Sequence, residues 1–493
     1  MVGSPAAERD ALGRAPSRSL GWTPRRWLLV VGLSFVTAQL LLVGVDRAPS
    51  WDEAIYLSQV TPGAEAMNLA ASRARGITFL VVVPLQLGAS LELVRLLLAT
   101  ASAAAIAGAF WPWVGVVGAG APLAAAAFGT GWVALFYGTE VMPNLWAALA
   151  GVAAIGFLAR RALGSGGRRD LAAAAALFAL TALVRPFDAA VLGATGVALV
   201  LVAGRDRVRS VAVVAGGLAF GASPWGIEVV TRYGGLGEAF EQATSAGRLA
   251  PTSPAEAFVR YLAAVDGPAI GPQAAPVVPP GAFVALVAAI GLTAYGLART
   301  RGSPRAWTLA VVTGGGSVSV VAYVTFVGAT APRFLAPALV LLSIPIGVGL
   351  AELWRATATT PAVRAILFVC VASWLVWQGA IAVDVAADAR ADRAPLDRLG
   401  LAIGAIDEDD RPCAVVSVTG YPQVGYPSGC RGRPLPRSGS IAEAVTEEER
   451  RGTRTLFIVV DGSLDPIADA PDAAALDLPH PVGLRVYRVE LWG

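Results

Sequence analysis

The 493-residue sequence has no lysine and a single histidine, His480, near its C-terminus. Zinc sites built from histidine clusters are thereby excluded. So are lysine Schiff bases and a Ser-His-Asp triad in the body of the chain. Every fixed positive charge must be an arginine. Charged side chains amount to only 15%, against about 25% in soluble domains, and the net charge of +3 gives no electrostatic footprint for nucleic acid. Phosphate-binding and dinucleotide-binding glycine motifs are missing as well; runs such as Gly314 to Gly316 lie inside apolar stretches, where close helix packing explains them. What is abundant is apolar: 55% of residues before the 55 glycines are counted, with a mean hydropathy of +0.62. A water-soluble enzyme, a disordered chain and a collagen-like chain are all excluded. A polytopic membrane protein remains.

The run 27–45 is long enough to cross a hydrocarbon core about 30 Å thick. It exceeds the core of a cleaved signal and no small-residue cleavage site follows, so it reads as a retained first helix. Arg25 and Arg26 place the tail 1–26 in the cytoplasm. Further apolar runs lie near 76–90, 91–110, 114–137, 141–159, 171–184, 188–203, 210–230, 281–298, 306–327, 333–351 and 363–383. The arginine-dense connections 159–169, 204–209, 299–305 and 355–364 belong on the cytoplasmic face. This parity works when the short run 76–90, bounded by Arg73, Arg75, Glu92 and Arg95, lies at the interface instead of crossing. The expected fold is an all-α polytopic domain over 27–384, with about eleven spans. Its outer face then holds loops 46–90 and 232–280, the turns around Glu140, Arg185 and Arg333, and everything after 384. The cytoplasmic (plasma) membrane is the expected location.

From 385 to 493 the composition shifts to clustered charges and prolines, with β-rich runs at 414–418, 455–460 and 484–489 and helix-like stretches at 396–406 and 441–451. A small extracytoplasmic α/β domain is expected. Its Cys413 and Cys430 are either a disulfide formed in an oxidising compartment or two reduced core cysteines.

Ionisable groups inside or beside apolar spans are costly unless they face a cavity or a partner. Asp52 and Glu53 follow the first span, after Pro49 and Ser50. Helix capping is one explanation for acids there, and chemistry is the other. Glu140 lies between two long apolar runs, as a second acid beside Asp52 or as the partner of a cation such as Arg185. Arg73, Arg75, Arg185 and Arg333 fall on the same expected face. Their planar forks suit a lipid-linked phosphate, and snorkelling to lipid headgroups is the bland alternative. Together the groups suit displacement at a sugar carbon, with one carboxylate as general base and arginines on the leaving phosphate.

The order of these features resembles the GT-C superfamily of polyprenyl-phosphate-dependent glycosyltransferases, in the branch of protein O-mannosyltransferases and aminoarabinose transferases. The matching elements, spread over 27–384, are Asp52 with Glu53, the stretch Arg73, Ala74, Arg75, Gly76, the turn from Tyr137 to Asn144, and Pro332, Arg333, Phe334. The resemblance implies Asp52 as base and Arg75 or Arg73 on the donor phosphate. Where the second outer turn often carries an aspartate, this chain has Asn144, and Glu140 is taken as its substitute. Some relatives bind a divalent cation with outer-loop acids, so metal is left open and no metal ligand is assigned. The expectation is an inverting glycosyltransferase moving a hexose or pentose from a polyprenyl-phosphate donor to an acceptor glycan, protein or lipid. Glu53 and Glu140 would orient the base and sugar, and Arg73, Arg75, Arg185 and Arg333 would hold phosphate. A secondary transporter and a scaffold displaying the C-terminal domain are the alternatives.

Overall fold

A computed structural model describes residues 23–204, 206–245, 253–267, 277–327, 330–406, 412–417, 419–435, 441–461, 473–476, 478 and 484–491. Most of the N-terminal tail, His480, two stretches of the loop 232–280 and part of the turn before Pro332 lie outside them. Pro24 opens α1 (Pro24–Ala38), where its missing N–H costs nothing, and a π turn (Gln39–Val43) closes the span. The first outer segment holds α2 (Trp51–Ser58), a 3-10 turn (Arg75–Leu80) and α3 (Val82–Gln86). The run 76–90 thus forms two short pieces, with Phe79, Val83 and Leu87 exposed.

The membrane body follows as α4 (Leu91–Val117), α5 (Gly120–Gly129), α6 (Trp132–Tyr137), α7 (Pro143–Ala162), α8 (Arg168–Val184), α9 (Pro186–Ala203) and α10 (Arg207–Tyr233). Two outer-loop helices, α11 (Leu236–Ser245) and α12 (Pro254–Ala263), precede α13 (Pro280–Arg299), α14 (Arg305–Phe326), a 3-10 turn (Pro332–Leu335), α15 (Ala336–Ala356) and α16 (Pro361–Ile406). Among the described residues nine helices are long and apolar enough to cross a membrane. The chain is a multi-pass membrane protein. Two of the expected spans take another form. The run 114–137 divides between the end of α4 and the pieces α5 and α6, because Gly118 turns the chain at φ +58° and a second break separates Gly129 from Trp132. Residues 171–184 fall in α8, which has 17 residues.

Burial is greatest along α7, whose small side chains let α4, α8 and α9 approach. At the periphery, α13 and α16 expose Phe283, Ile290, Ile366 and Phe368, as lipid-facing helices do.

α16 continues through the expected boundary at 384, so the helix-like stretch 396–406 is the end of a 46-residue helix rather than a separate element. It leads into β1 (Cys413–Ser417), α17 (Tyr421–Ser428), β2 (Arg431–Pro434), α18 (Ile441–Arg450), β3 (Thr455–Asp461), β4 (Ala474–Leu476) and β5 (Leu484–Glu490). The sheet order is β2-β1-β3-β5-β4. β1 runs parallel to β2 and β3, with Val415 opposite Phe457, whereas β5 is antiparallel to β3 and β4. Strand alternation buries Ala414, Val416 and Ile458 with Ile441 and Ala444 of α18. The opposite face buries Val415, Phe457 and Val459 with Leu399 and Ile403 of α16. Cys413 and Cys430 are joined by a disulfide.

Candidate active site

Ser50 caps α2 reciprocally: its hydroxyl accepts from the Glu53 N–H at 3.4 Å, and the Glu53 carboxylate accepts from the Ser50 N–H at 3.1 Å. The box holds Asp52 in the first helical turn. One oxygen of Asp52 accepts from the guanidinium of Arg73, and the other from Arg333 at 2.7 Å. The three side chains are 15–18% exposed. Arg333 also donates to the Tyr137 hydroxyl at 3.4 Å and lies over the rings of Tyr137 and Phe334.

Local sequence explains how each arginine arrives. Pro186 forces Arg185 into extended backbone at φ −155°, which ends α8 and turns the side chain out of the helix. Its guanidinium sits over Phe334, 5.2 Å from the ring centre, with Nε 2.6 Å from Asp188. Arg185 also donates to Tyr323 at 3.2 Å, and the Tyr323 hydroxyl donates to Asp188. Arg333 rides on the 3-10 turn that Pro332 initiates. Arg73 lies on a loop pinned from α10, where Trp225 donates to the Ala71 carbonyl at 2.9 Å and Tyr233 donates to that of Leu69. Gly76 fits directly against the end of α8: a Cβ there would stand 2.2 Å from the Leu183 carbonyl oxygen. Buried Tyr56 feels Asp52, Arg73, Arg185 and Arg333 together, and burial pushes its phenol above its ordinary value. Asp52, Arg73, Arg185 and Arg333 therefore form one cluster.

Arg75 takes a different partner. Its Nε and Nη2 atoms grip Glu228 of α10 at 3.1 and 2.8 Å, and its third nitrogen donates to Gln59. Of the two arginines expected at a phosphate, Arg73 is the one at Asp52.

Glu53 and Glu140 belong to a buried charge network beneath the cluster. One Glu53 oxygen accepts from Arg95 at 2.6 Å, the other from the Val141 N–H at 3.0 Å. Burial opposes the charge on Glu53, but Arg95, Arg393 and that backbone N–H outweigh it and hold the carboxyl below its ordinary value. Glu140 pairs with Arg393 of α16 at 2.6 Å, not with Arg185. Arg47 completes the network, donating to Thr139 at 2.8 Å and to the carbonyls of Val43 and Gly44. Burial and the neighbouring Arg95 pull its guanidinium down to about 10. Asn144 is buried, and its side-chain amide makes no hydrogen bond among the described residues. Among the described residues no group of three or more His, Cys, Asp or Glu side chains is placed to hold a metal ion.

No family model matches the sequence, and no curated protein matches it. Solved structures do. ArnT from Cupriavidus metallidurans, bound to undecaprenyl phosphate, superposes with a TM-score of 0.67 at 13% identity over 94% of this chain and 98% of that one. The chain has the GT-C fold. The archaeal oligosaccharyltransferase AglB from Archaeoglobus fulgidus, in complex with an inhibitory peptide and a dolichol-phosphate, gives 0.57 at 11% identity, over 94% of this chain and 74% of that one. A variant of the arabinofuranosyltransferase AftD from Mycobacteria gives 0.55 at 16% identity, over 95% of this chain and 42% of that one. All three neighbours are GT-C glycosyltransferases.

Within this GT-C fold, the residues of the site that went unassigned in the sequence include Arg95, Arg47, Arg393 and Tyr323. Arg95 and Arg47 border the spans α4 and α1, and their position at an apolar boundary was a usable signal. Arg393 and Tyr323 gave none, because each reaches its partner from a distant helix.

Proposed function

We infer that the protein is a membrane glycosyltransferase that uses a polyprenyl-phosphate-linked sugar as donor. The observation that carries this reading is Asp52 braced between Arg73 and Arg333, with Arg185 alongside. The fold adds support, since the ArnT structure holds undecaprenyl phosphate and that of AglB holds a dolichol-phosphate.

Asp52 acts as general base and takes the proton from an acceptor hydroxyl. The freed oxygen attacks the anomeric carbon from the side opposite the phosphate and forms the new C–O bond with inversion. The bond from that carbon to the phosphate oxygen breaks, and its electron pair leaves with the lipid phosphate. Arg73 and Arg333 receive the charge developing there, and Arg185, paired with Asp188, stands beside them. Arg75 stands behind them on Glu228, while Glu53 and Glu140 position the loop that carries Asp52. The site faces away from the cytoplasm, in keeping with the basic connections on the opposite side and the Cys413–Cys430 disulfide.

The test is incubation of the purified protein in nanodiscs with a panel of polyprenyl-phosphate sugars and hydroxyl acceptors, reading released lipid phosphate by mass. Asp52→Asn should lower transfer by at least about a hundredfold while leaving the protein expressed and folded. Wild-type turnover in that variant removes the mechanism.

A further inference from the structure

In this structure the two guanidinium groups that flank Asp52 are both occupied by it. Asp52 gives one oxygen to Arg73 and the other to Arg333, and it stands inside the fold with 18% of its side chain exposed. A carboxylate gripped from both sides has its lone pairs committed, and it is a weak base while the grip lasts. A phosphate seeks the same two forks, so the two anions compete for them. Resting on the glycosyltransferase reading above, we propose that Asp52 and the lipid phosphate exchange places on Arg73 and Arg333, so that donor binding itself frees the base.

The charge count makes the exchange workable. Arg185 is neutralised by Asp188 and shares its hydroxyl partner Tyr323. Among the described residues that leaves Arg73 and Arg333 against Asp52, a surplus of one positive charge. A sugar phosphodiester brings one negative charge and balances it. As the phosphate takes the forks, Asp52 loses its cations and its affinity for a proton rises just when an acceptor hydroxyl must give one up. Without donor the base stays paired and has little capacity to activate a stray hydroxyl. After transfer Asp52 holds the acceptor's proton and the arginines hold the phosphate monoester. Loss of that proton to water restores the carboxylate, which reclaims the forks and displaces the lipid product. The same residue therefore serves as base and as the counter-anion that empties the site.

The exchange predicts an outcome that a base alone does not. Removing the Asp52 charge should tighten phosphate binding, even though it stops turnover. Binding of polyprenyl phosphate to the full-length protein in nanodiscs is to be measured by native mass spectrometry for wild type, Asp52→Asn and Asp52→Ser. Melting of each variant confirms that it is folded. Both variants should bind about tenfold or more tightly than wild type, the size expected when one charge-assisted competitor is removed. Adding Arg73→Gln or Arg333→Gln should erase that gain. Inorganic phosphate is the parallel probe: the same ratio with it locates the exchange in the headgroup, and a gain confined to the lipid still supports it. Equal or weaker binding by both Asp52 variants overturns the exchange but leaves the glycosyltransferase reading standing. Failure of every form, wild type included, to bind polyprenyl phosphate removes that reading instead.

Discussion

A chain without lysine must build every ion pair from arginine, and the planar fork then decides what each site can do. Arg333 reaches Asp52 and the Tyr137 hydroxyl while resting on two aromatic faces. A lysine ammonium has no fork to span both oxygens and stacks poorly. Arg333→Lys should therefore lower kcat/KM by about 10- to 100-fold, the value of a lost hydrogen bond between charged groups. Arg75→Lys should cost less in the same transfer assay, because Arg75 is anchored to Glu228 rather than to Asp52. Glu53 makes its case in stability. It is fully buried against Arg95, and breaking such a pair leaves an uncompensated charge, so Glu53→Gln should cost about 3–5 kcal/mol in melting. Its carboxyl is held below the ordinary value, so the unfolded chain takes up the proton first. Its contribution is complete above about pH 4.3 and is lost as pH falls through the lower, folded value. Acid melting curves of wild type should show that loss, and those of Glu53→Gln should lack it.

Close approaches between elements set where these side chains stand. The turn at Gly76 has no room for a side chain, since a Cβ would meet the Leu183 carbonyl oxygen and, at 2.8 Å, the Val184 backbone. Backbone cannot rotate away as a side chain can. Gly76→Ala should push the Arg73 loop off the end of α8, costing about 1–3 kcal/mol and lowering transfer with it, as melting and lipid-phosphate release would show. A second approach joins α16 to the C-terminal domain, where a Cβ on Gly400 would meet the Val424 carbonyl oxygen and the Pro427 ring at 2.4 Å. From α17, Tyr426 shares a hydrogen bond with Thr61 at 3.2 Å and Tyr421 packs edge-on against Trp51. The helix bearing Asp52 thus has the C-terminal domain at its back. A cleft of about 490 Å³ lies beside this contact, between the segments that flank α2, the start of α4 and the residues of α16 and α17; Asp46, Glu92, Asp397 and Tyr426 line it, and Asp52 does not.

Across the whole molecule, α16 is the connection that matters. It passes from the lipid-facing layer into the α/β domain, and on the way Arg390 pairs with Asp46 and Arg393 with Glu140. Truncation after 384 removes both arginines, whereas truncation after 406 keeps them. The shorter protein should lose far more melting stability than the longer one; equal losses would mean that these ion pairs do not brace the membrane body. The disulfide is a separate matter, because it closes a loop within the C-terminal domain only. With its ends 17 positions apart in the sequence, removing it by Cys413→Ser should cost about 3 kcal/mol, read as earlier melting of that domain.

Hydropathy and residue order alone determined that this is a multi-pass helical protein with an α/β tail, that 76–90 stops short of a span, and that Asp52, Arg73, Arg185 and Arg333 deserve attention at span ends. Those signals are local: an apolar run, a strand alternation or a charge at an apolar boundary announces itself within a few residues. Only the tertiary structure decided the pairings. Arg333 meets Asp52 across 281 residues and Arg393 meets Glu140 across 253, while Arg75, two residues from Arg73, turns to Glu228 instead. Arg185, a partner expected for Glu140 from the sequence, pairs with Asp188 three residues away. An ion pair depends on distance through space and on what surrounds it, and a linear sequence records neither.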